Sequence, residues 1–490
     1  MEVGYKADGL IVDLILSGQV NSARIPQAAK LLVQHMQNRS ATLIDEFITP
    51  EQILGKLKRW DESTTTSPSG IHLGHYHCMW RSPTPTDDED QLAQIKQGQK
   101  ALLQATADLM NYAVRHRYAY HRWTKIVNTM LQKEAGNPRV NRLRVIHIYE
   151  ADYNLLLAVK WRQCLHHAED QGLLNDGLYG SRPGRTAHDP VLLEVLQHEV
   201  YRMSMKAGIN FDLDATSCYD RILANVASIC SRRVGMPQSI ALVNAETLEK
   251  ASYHLKTNLG VSAGSYTHCS EYPIHGTGQG SGNSPAIWCF VCSALFDATA
   301  TVTTGANFTS YSKHHDVHIF MIGFVDDCTQ RANQFHNEVQ PDEGTLVKMM
   351  EHDAQQWNNV LWASGGALEQ TKCSYHLIQS TWNADGQPFL RGGTYAAPIS
   401  LHDGTRTNLV YQKSSYESHK TLGCFINPAH SNTSTWLATR RKNDQFTRLV
   451  ESNHLSRLEA WTLYTAIYLP SITYPIPMSP LTKQQCNSLN

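Results

Sequence analysis

Long apolar runs are missing from this sequence. The strongest, Ala286 to Phe296, falls far short of the roughly 20 residues a membrane-spanning helix needs, so no transmembrane segment and no membrane partner are expected. No secretory leader is expected either: Glu2 and Asp8 precede only a short apolar patch, where a leader carries basic residues and a long apolar stretch. Nor is there a compact disulfide framework. The eleven cysteines are odd in number and scattered from Cys78 to Cys486, the usage expected of core thiols in a reducing, intracellular setting. There is no internal repeat, and neither sign of charge dominates: 43 Lys and Arg stand against 44 Asp and Glu. What is present is enough to build a core. At 490 residues, 41% hydrophobic and 18% charged, the composition excludes a disordered or fibrous chain. About two to four units, or one large protein of interlocked subdomains, are expected from the length.

The near-zero net charge hides a local asymmetry. Between Arg115 and Arg144, eight basic residues stand against Glu134 alone, a net +7 over 30 residues. Tyr118, Tyr120 and Trp123 are interleaved with them, the combination that grips phosphates while stacking bases or sugars. The plainer alternative is a solvated helix face. A weaker basic cluster, Arg440, Arg441, Lys442, Arg448 and Arg457, lies near the C-terminus.

Residues 1 to about 60 read as helical, without recognisable chemistry. Ser82 to Asp90 (SPTPTDDED) reads as an exposed acidic loop, and Gln91 to about Arg117 as a helix. Ile126 to Ile148 reads as two strands about a turn at Ala135 to Pro138, a basic hairpin. In Ile209 to Leu213 the apolar residues alternate with Asn210, Asp212 and Asp214, the pattern of a half-buried strand ending in carboxylates. His318 to Phe324 reads as one strand that stops at Val325-Asp326-Asp327 and resumes as a short polar strand, which puts adjacent aspartates on a hairpin turn.

A lone Asp-Asp pair is a common turn. With Asp214 ending a second strand, three carboxylates converging on one cleft make the hard-oxygen ligand set for a pair of Mg²⁺ ions. Cys289 and Cys292 have zinc-ligand spacing but lie in an apolar helix with no second pair downstream, so they read as core thiols. His72, His75, His77 and Cys78 form a denser group, read as structural or nucleic-acid-binding before metal-binding, and His314, His315 and His318 read as surface.

The order of these segments resembles the reverse transcriptase family, most closely its non-LTR retroelement type, over roughly residues 60 to 475. Asp214-Ala-Thr-Ser-Cys-Tyr219-Asp220 resembles motif A, Gln279-Gly280-Ser-Gly-Asn-Ser284-Pro285 motif B, and Phe324-Val325-Asp326-Asp327 motif C. Weaker matches fill in the rest. Thr66 to Tyr76 is similar to the segment ahead of the fingers, Arg144 to Asp152-Tyr153 to the RPI…DYK block, and Tyr179 to Arg185 to GFRxGRS. Leu368 to Cys373 resembles motif D, Leu422-Gly423 the primer-grip turn, and Arg457 to Tyr474 the thumb helix with its trailing [I/V]xYP segment.

The resemblance implies an α+β right-hand polymerase: an N-terminal helical extension (1–60), fingers (61–205), a palm of antiparallel sheet plus helices (206–425) and an incomplete helical thumb (426–490). It implies RNA-directed DNA synthesis with two Mg²⁺ or Mn²⁺ ions, an RNA template, a DNA or RNA primer and dNTPs, in an intracellular and preferably nuclear setting. Asp214, Asp326 and Asp327 are implied as metal ligands. Lys372 is the implied proton donor to pyrophosphate, and Lys133 with Arg142 or Arg144 the triphosphate contacts. Tyr219 is the implied sugar gate, against a core aromatic, and Gln279 and Gly280 shape the nucleotide pocket. Asp212 departs from the family, where that position is apolar; it shares a face with Asp214 and ranks below it, as a bystander or a supporting carboxylate. Nothing resembles a ribonuclease H domain, and residues 1–60 are too few for an endonuclease. The chain ends soon after the expected thumb begins, so a fragment of a longer retroelement polyprotein, or a separate endonuclease partner, is expected. An RNA-dependent RNA polymerase and an inactive, domesticated nucleic-acid binder are the rivals. Tyr219 and the FVDD segment oppose the first, and the intact Asp214, Asp326 and Asp327 oppose the second.

Overall fold

Strict alternation of Ile209, Phe211 and Leu213 with polar residues makes one strand the divide between two faces of the molecule. In a computed structural model, this is β3 (Gly208–Asp214), the centre of a five-stranded sheet. Residues 6–489 are described, apart from 21–24, 41, 65–66, 83–87, 134–135, 138, 140–141, 217, 270 and 335–340. β3 pairs antiparallel with β10 (Asp327–Asn333) on one side and with β11 (Ser374–Ile378) on the other. Beyond β10 lies β9 (Met321–Phe324), and beyond β11 the short β16 (Gln412–Lys413), which runs parallel to it.

The apolar face of β3 is fully buried and belongs to the main core, against α12 (Glu343–Ala363) and close to α11 (Ser284–Ala300). Burying each such side chain stabilises by about 1.5–3 kcal/mol. The opposite face carries Asn210, Asp212 and Asp214. It is covered by α7 (His188–Ser204), where Gln197 donates to Asn210 Oδ1 at 3.0 Å. α11 starts at Ser284-Pro285 as expected, proline suiting a first turn. Cys289 and Cys292 are buried within it, and all eleven cysteines are unpaired.

The N-terminal part is helical in pieces: α1 (Leu10–Leu16), α2 (Gln27–Gln34), α3 (Pro50–Leu57) and α4 (Leu73–His77). α5 (Glu89–His116) begins two residues earlier than the sequence suggests. Glu89 and Asp90 sit in its first turn, where negative charge is favoured, and Asp88 caps it by accepting from the Gln91 N–H. The rest of the expected acidic loop, 83–87, lies outside the described residues, as do Thr66 and part of the Ala135–Pro138 turn.

The basic hairpin is present: β1 (Lys125–Gln132) pairs antiparallel with β2 (Leu143–Ile148), Leu131 opposite Arg144. On its other edge β1 pairs in parallel with β4 (Ser252–Thr257), which also holds β5 (Gly260–Val261) and β6 (Tyr266–Thr267). The two sheets are joined by α6 (Ala151–Asp170), α8 (Cys218–Arg221), α9 (Ala224–Arg233) and α10 (Gln238–Glu249).

His318 to Phe324 is not one strand. It divides at Phe320 into β8 (Asp316–Ile319), paired with β7 (Ala306–Thr309), and β9 in the main sheet, paired with β10. Further hairpins are β12 (Ser380–Trp382) with β13 (Pro388–Leu390), β14 (Ile399–His402) with β15 (Thr407–Val410), and β17 (His419–Thr421) with β18 (Cys424–Ile426). The last of these turns through Leu422 and Gly423, both with positive φ as a tight two-residue hairpin requires. The chain closes with helices α13 (Thr433–Ser452), α14 (Arg457–Leu463), α15 (Leu469–Thr473) and α16 (Lys483–Asn487). The fold class is thus α+β. Among the described residues no helix is long and apolar enough to cross a membrane.

Candidate functional site

Strand register delivers the carboxylates. β3 ends at Asp214, and the antiparallel pairing sets Asp327, the first residue of β10, directly opposite it. Phe324 pairs with Asp327, so Val325 and Asp326 alone form the turn between β9 and β10. Val325 has φ +59°, a left-handed conformation that costs a β-branched residue on the order of 1–3 kcal/mol. Its neighbours hold it there. Trp288 Nε1 donates to the Val325 carbonyl at 2.6 Å, and the Tyr179 N–H donates to the Gly323 carbonyl at 2.8 Å. The backbone of Gly180 lies so close that a Cβ there would stand 2.4 Å from Val325 N. The Tyr179–Arg185 segment therefore buttresses the aspartate turn. Arg182 anchors it through a two-pronged ion pair with Glu169 at 2.7 and 2.8 Å.

Crowding shapes the charges. Burial, and then the charge of Asp214, push the Asp326 carboxyl above its usual range, while Lys372 and Arg144 pull against them. Partial burial under the turn, then the charges of Asp326 and Asp214, push Asp327 up to about 6, although its outer edge is open to solvent. The Lys372 ammonium, in a 3₁₀ turn at Gln370–Lys372, stands 3.2 and 3.3 Å from the two Asp214 oxygens. Both partners are partly exposed, so this pair adds little to stability; it places a cation where the site is most negative.

The raised Asp327 couples stability to pH. The folded group keeps its proton to about pH 6, whereas an unfolded aspartate releases it near pH 4. Folding then takes up a proton in that window, and stability falls as pH rises through it. Asp327→Asn is expected to stabilise the cation-free protein at pH 7 by about 1 kcal/mol, after discounting for solvent screening. The gain should vanish below about pH 4. Denaturant unfolding at pH 7 and pH 4 checks this; a variant less stable than wild type at pH 7 contradicts it.

The other expected residues lie around this rim. Tyr219, in α8, is half-buried, its ring edge-on to Trp288 at 6.4 Å between centroids, and burial, then the neighbouring Cys218 and Asp326, push its phenol up. Its carbonyl accepts from Thr277 N–H at 2.8 Å, which joins the α8 turn to the Gln279-Gly280 loop. Gln279 Nε2 reaches Asp220 Oδ2 at 3.5 Å, and the Gln279 carbonyl accepts from His147 N–H of β2 at 2.6 Å. Gly280 is exposed, and a Cβ on it would stand 2.4 Å from the His147 carbonyl, so only glycine fits this docking. Lys133, Arg142 and Arg144 are exposed on the basic hairpin. Lys133 acts on the Asp220 carboxyl and Arg144 on Asp326, each offsetting the upward push of burial.

The structure does not gather the three aspartates into a ligand cluster. Among the described residues, the three-residue group whose ligand atoms all lie within 4.8 Å of one another is Asp212, His376 and His419, a cluster that could hold a metal ion. The donor chemistry of Asp214, Asp326 and Asp327 suits Mg²⁺, but like charges repel, and the Lys372 ammonium stands at Asp214 in the place of a cation. Sequence reasoning ranked Asp212 low and missed both histidines. The signal available was Asp212, charged where the resembled family is apolar; His376 and His419 have no spacing that ties them to it. In the group His72, His75, His77 and Cys78, His72 caps the Gly74 N–H, Cys78 donates to the His75 carbonyl, and His77 stands 3.5 Å from Glu62 with neither buried ring nitrogen hydrogen-bonded.

No family model matches the sequence, and no curated protein matches it either.

Proposed function

We propose that the chain is an RNA-directed DNA polymerase of the reverse-transcriptase kind, acting on a primer 3′-hydroxyl and dNTPs. The observation that carries this reading is the register that sets Asp214 against Asp327, with Asp326 at the turn between strands and Lys133 and Arg144 of the basic hairpin facing the same rim. In this reading the β3-centred sheet with α11 and α12 is the palm, the β1–β2 hairpin belongs to the fingers, and the helices from Thr433 onward are the thumb.

Asp214, Asp326 and Asp327 would hold Mg²⁺ or Mn²⁺, which would supply activation of the 3′-hydroxyl and neutralisation of the phosphates. The chain's own residues do the rest. Arg144 and Arg142 hold triphosphate oxygens through paired donors, and Lys133 adds a point charge. The 3′-hydroxyl loses its proton to solvent water as its oxygen bonds to the α-phosphorus and the bond to the α–β bridging oxygen breaks, and Lys372 gives its own proton to the departing pyrophosphate. The Tyr219 ring lies under the sugar and leaves no room for a 2′-hydroxyl. Gly280 keeps the pocket wall close to β2.

The test is primer extension on poly(rA)/oligo(dT) with dTTP or UTP. Extension with dTTP alone is expected. Extension with UTP supports an RNA polymerase instead, and duplex binding without extension supports a binding-only protein.

A further inference from the structure

We infer that Asp212, His376 and His419, with Glu194 beside His419, form a site for a divalent cation of the Zn²⁺ class, separate from the aspartate rim. The three ligands come from β3, β11 and β17 and Glu194 from α7, elements far apart in sequence that meet on the polar face of the sheet. Asp212 Oδ2 stands 3.8 Å from His376 Nδ1, Asp212 Oδ1 stands 3.7 Å from His419 Nε2, and Glu194 Oε1 stands 3.3 Å from the same His419 nitrogen.

These separations suit an ion better than hydrogen bonds. A tetrahedral ion with bonds of about 2.0–2.1 Å holds its ligand atoms roughly 3.3–3.4 Å apart. The ligand atoms are also unsatisfied. Glu194 Oε1, Asp212 Oδ2 and both ring nitrogens of His419 are buried without a hydrogen-bond partner, a costly state for four polar atoms in one place. His376 is 1% exposed, Glu194 4% and His419 7%.

The surroundings match a metal site. His376 Nε2 stands 3.0 Å from the Glu417 carbonyl; that hydrogen bond fixes the proton on Nε2 and turns the Nδ1 lone pair towards Asp212, as metal-bound histidines are oriented. Thr329 Oγ1 donates to Asp212 Oδ1 at 3.3 Å. The buried Arg331 guanidinium lies near Glu194 and Asp212 and balances one carboxylate, yet none of its nitrogens is hydrogen-bonded, so it does not satisfy them. A cavity of about 150 Å³, lined by Asp214, Asp327, Lys372, Asp212, Glu194 and His419, leads in from the aspartate rim and gives an ion its way in. Two imidazoles with a carboxylate select a borderline transition cation, whereas an all-carboxylate set selects Mg²⁺. The burial of His376 and His419 suits an ion with a structural role. It pins α7 and the β17–β18 hairpin to the strand that carries Asp214.

The test is the metal content of the full chain, purified from zinc-supplemented cells and freed of loosely bound ions by gel filtration. About one zinc per chain is expected, kept in Asp326→Asn and lost in His376→Ala and His419→Ala. Cobalt titration of chelator-stripped wild type guards against variants that fail to fold. The visible absorption of tetrahedral Co²⁺ is expected to appear at one equivalent and to be displaced by Zn²⁺ but not by Mg²⁺. Zinc content that His376→Ala and His419→Ala leave unchanged, or wild type that takes up neither zinc nor tetrahedral cobalt, overturns the inference.

Discussion

If the proposed function holds, Asp326→Asn is expected to leave the protein folded and to slow nucleotide incorporation by roughly 10³-fold or more, since in that proposal the carboxylate would hold a metal whose loss removes several kcal/mol of transition-state stabilisation. The substitution keeps shape and removes one negative charge from a turn whose partners repel it: Asp214 and burial both push the Asp326 carboxyl upward. The strained Val325 beside it is held by the Trp288 hydrogen bond and the Gly180 backbone, neither of which involves the carboxylate. Thermal unfolding without divalent cations is therefore expected to show a Tm no lower than wild type. Single-turnover incorporation checks the rate, and a variant within tenfold of wild type contradicts the role given to Asp326.

The second large effect concerns the sugar. Tyr219→Val is expected to relax the preference for dTTP over UTP by about 10- to 100-fold, the range of one lost steric contact worth about 1–3 kcal/mol. Tyr219→Phe is expected to keep the preference, because in the proposed function it is the ring, not the hydroxyl, that excludes the 2′-hydroxyl. The geometry restricts where the ring can go. It packs edge-on to Trp288, and its backbone is tied to Thr277, so shortening the side chain opens space beside Asp326 and leaves the α8 turn in place. The ratio of kcat/KM for the two nucleotides checks this. An unchanged ratio in Tyr219→Val would mean that the ring is only part of the core.

Local pattern made some of this legible in advance. The alternation at Ile209 to Leu213 sufficed for β3 and its two faces, Ser284-Pro285 for the start of α11, and the apolar run before 325–327 with the short polar strand after it for the aspartate turn. Each depends on neighbours within a few residues. What local pattern could not supply was which strand lies beside which. His318 to Phe324 has the composition of one strand, yet it crosses between sheets at Phe320 because its two halves find different partners. The same limit hid the polar cluster. Asp212 and His376 stand on adjacent strands and His419 on a later hairpin, 207 residues from Asp212 by their numbers, and only the folded sheet brings them together. The start of α5 was missed for a subtler reason: the run of acids that looked like a loop is also a favourable first turn.

The most direct measurement is incorporation of labelled dTMP by the full chain on poly(rA)/oligo(dT), with Mg²⁺ and then with the cation chelated. Template-dependent, cation-dependent extension is expected, absent in the Asp326→Asn, Asp327→Asn double variant. A folded wild-type chain that binds the duplex and adds no nucleotide would contradict the reading of Asp214, Asp326 and Asp327 as a nucleotidyl-transfer centre.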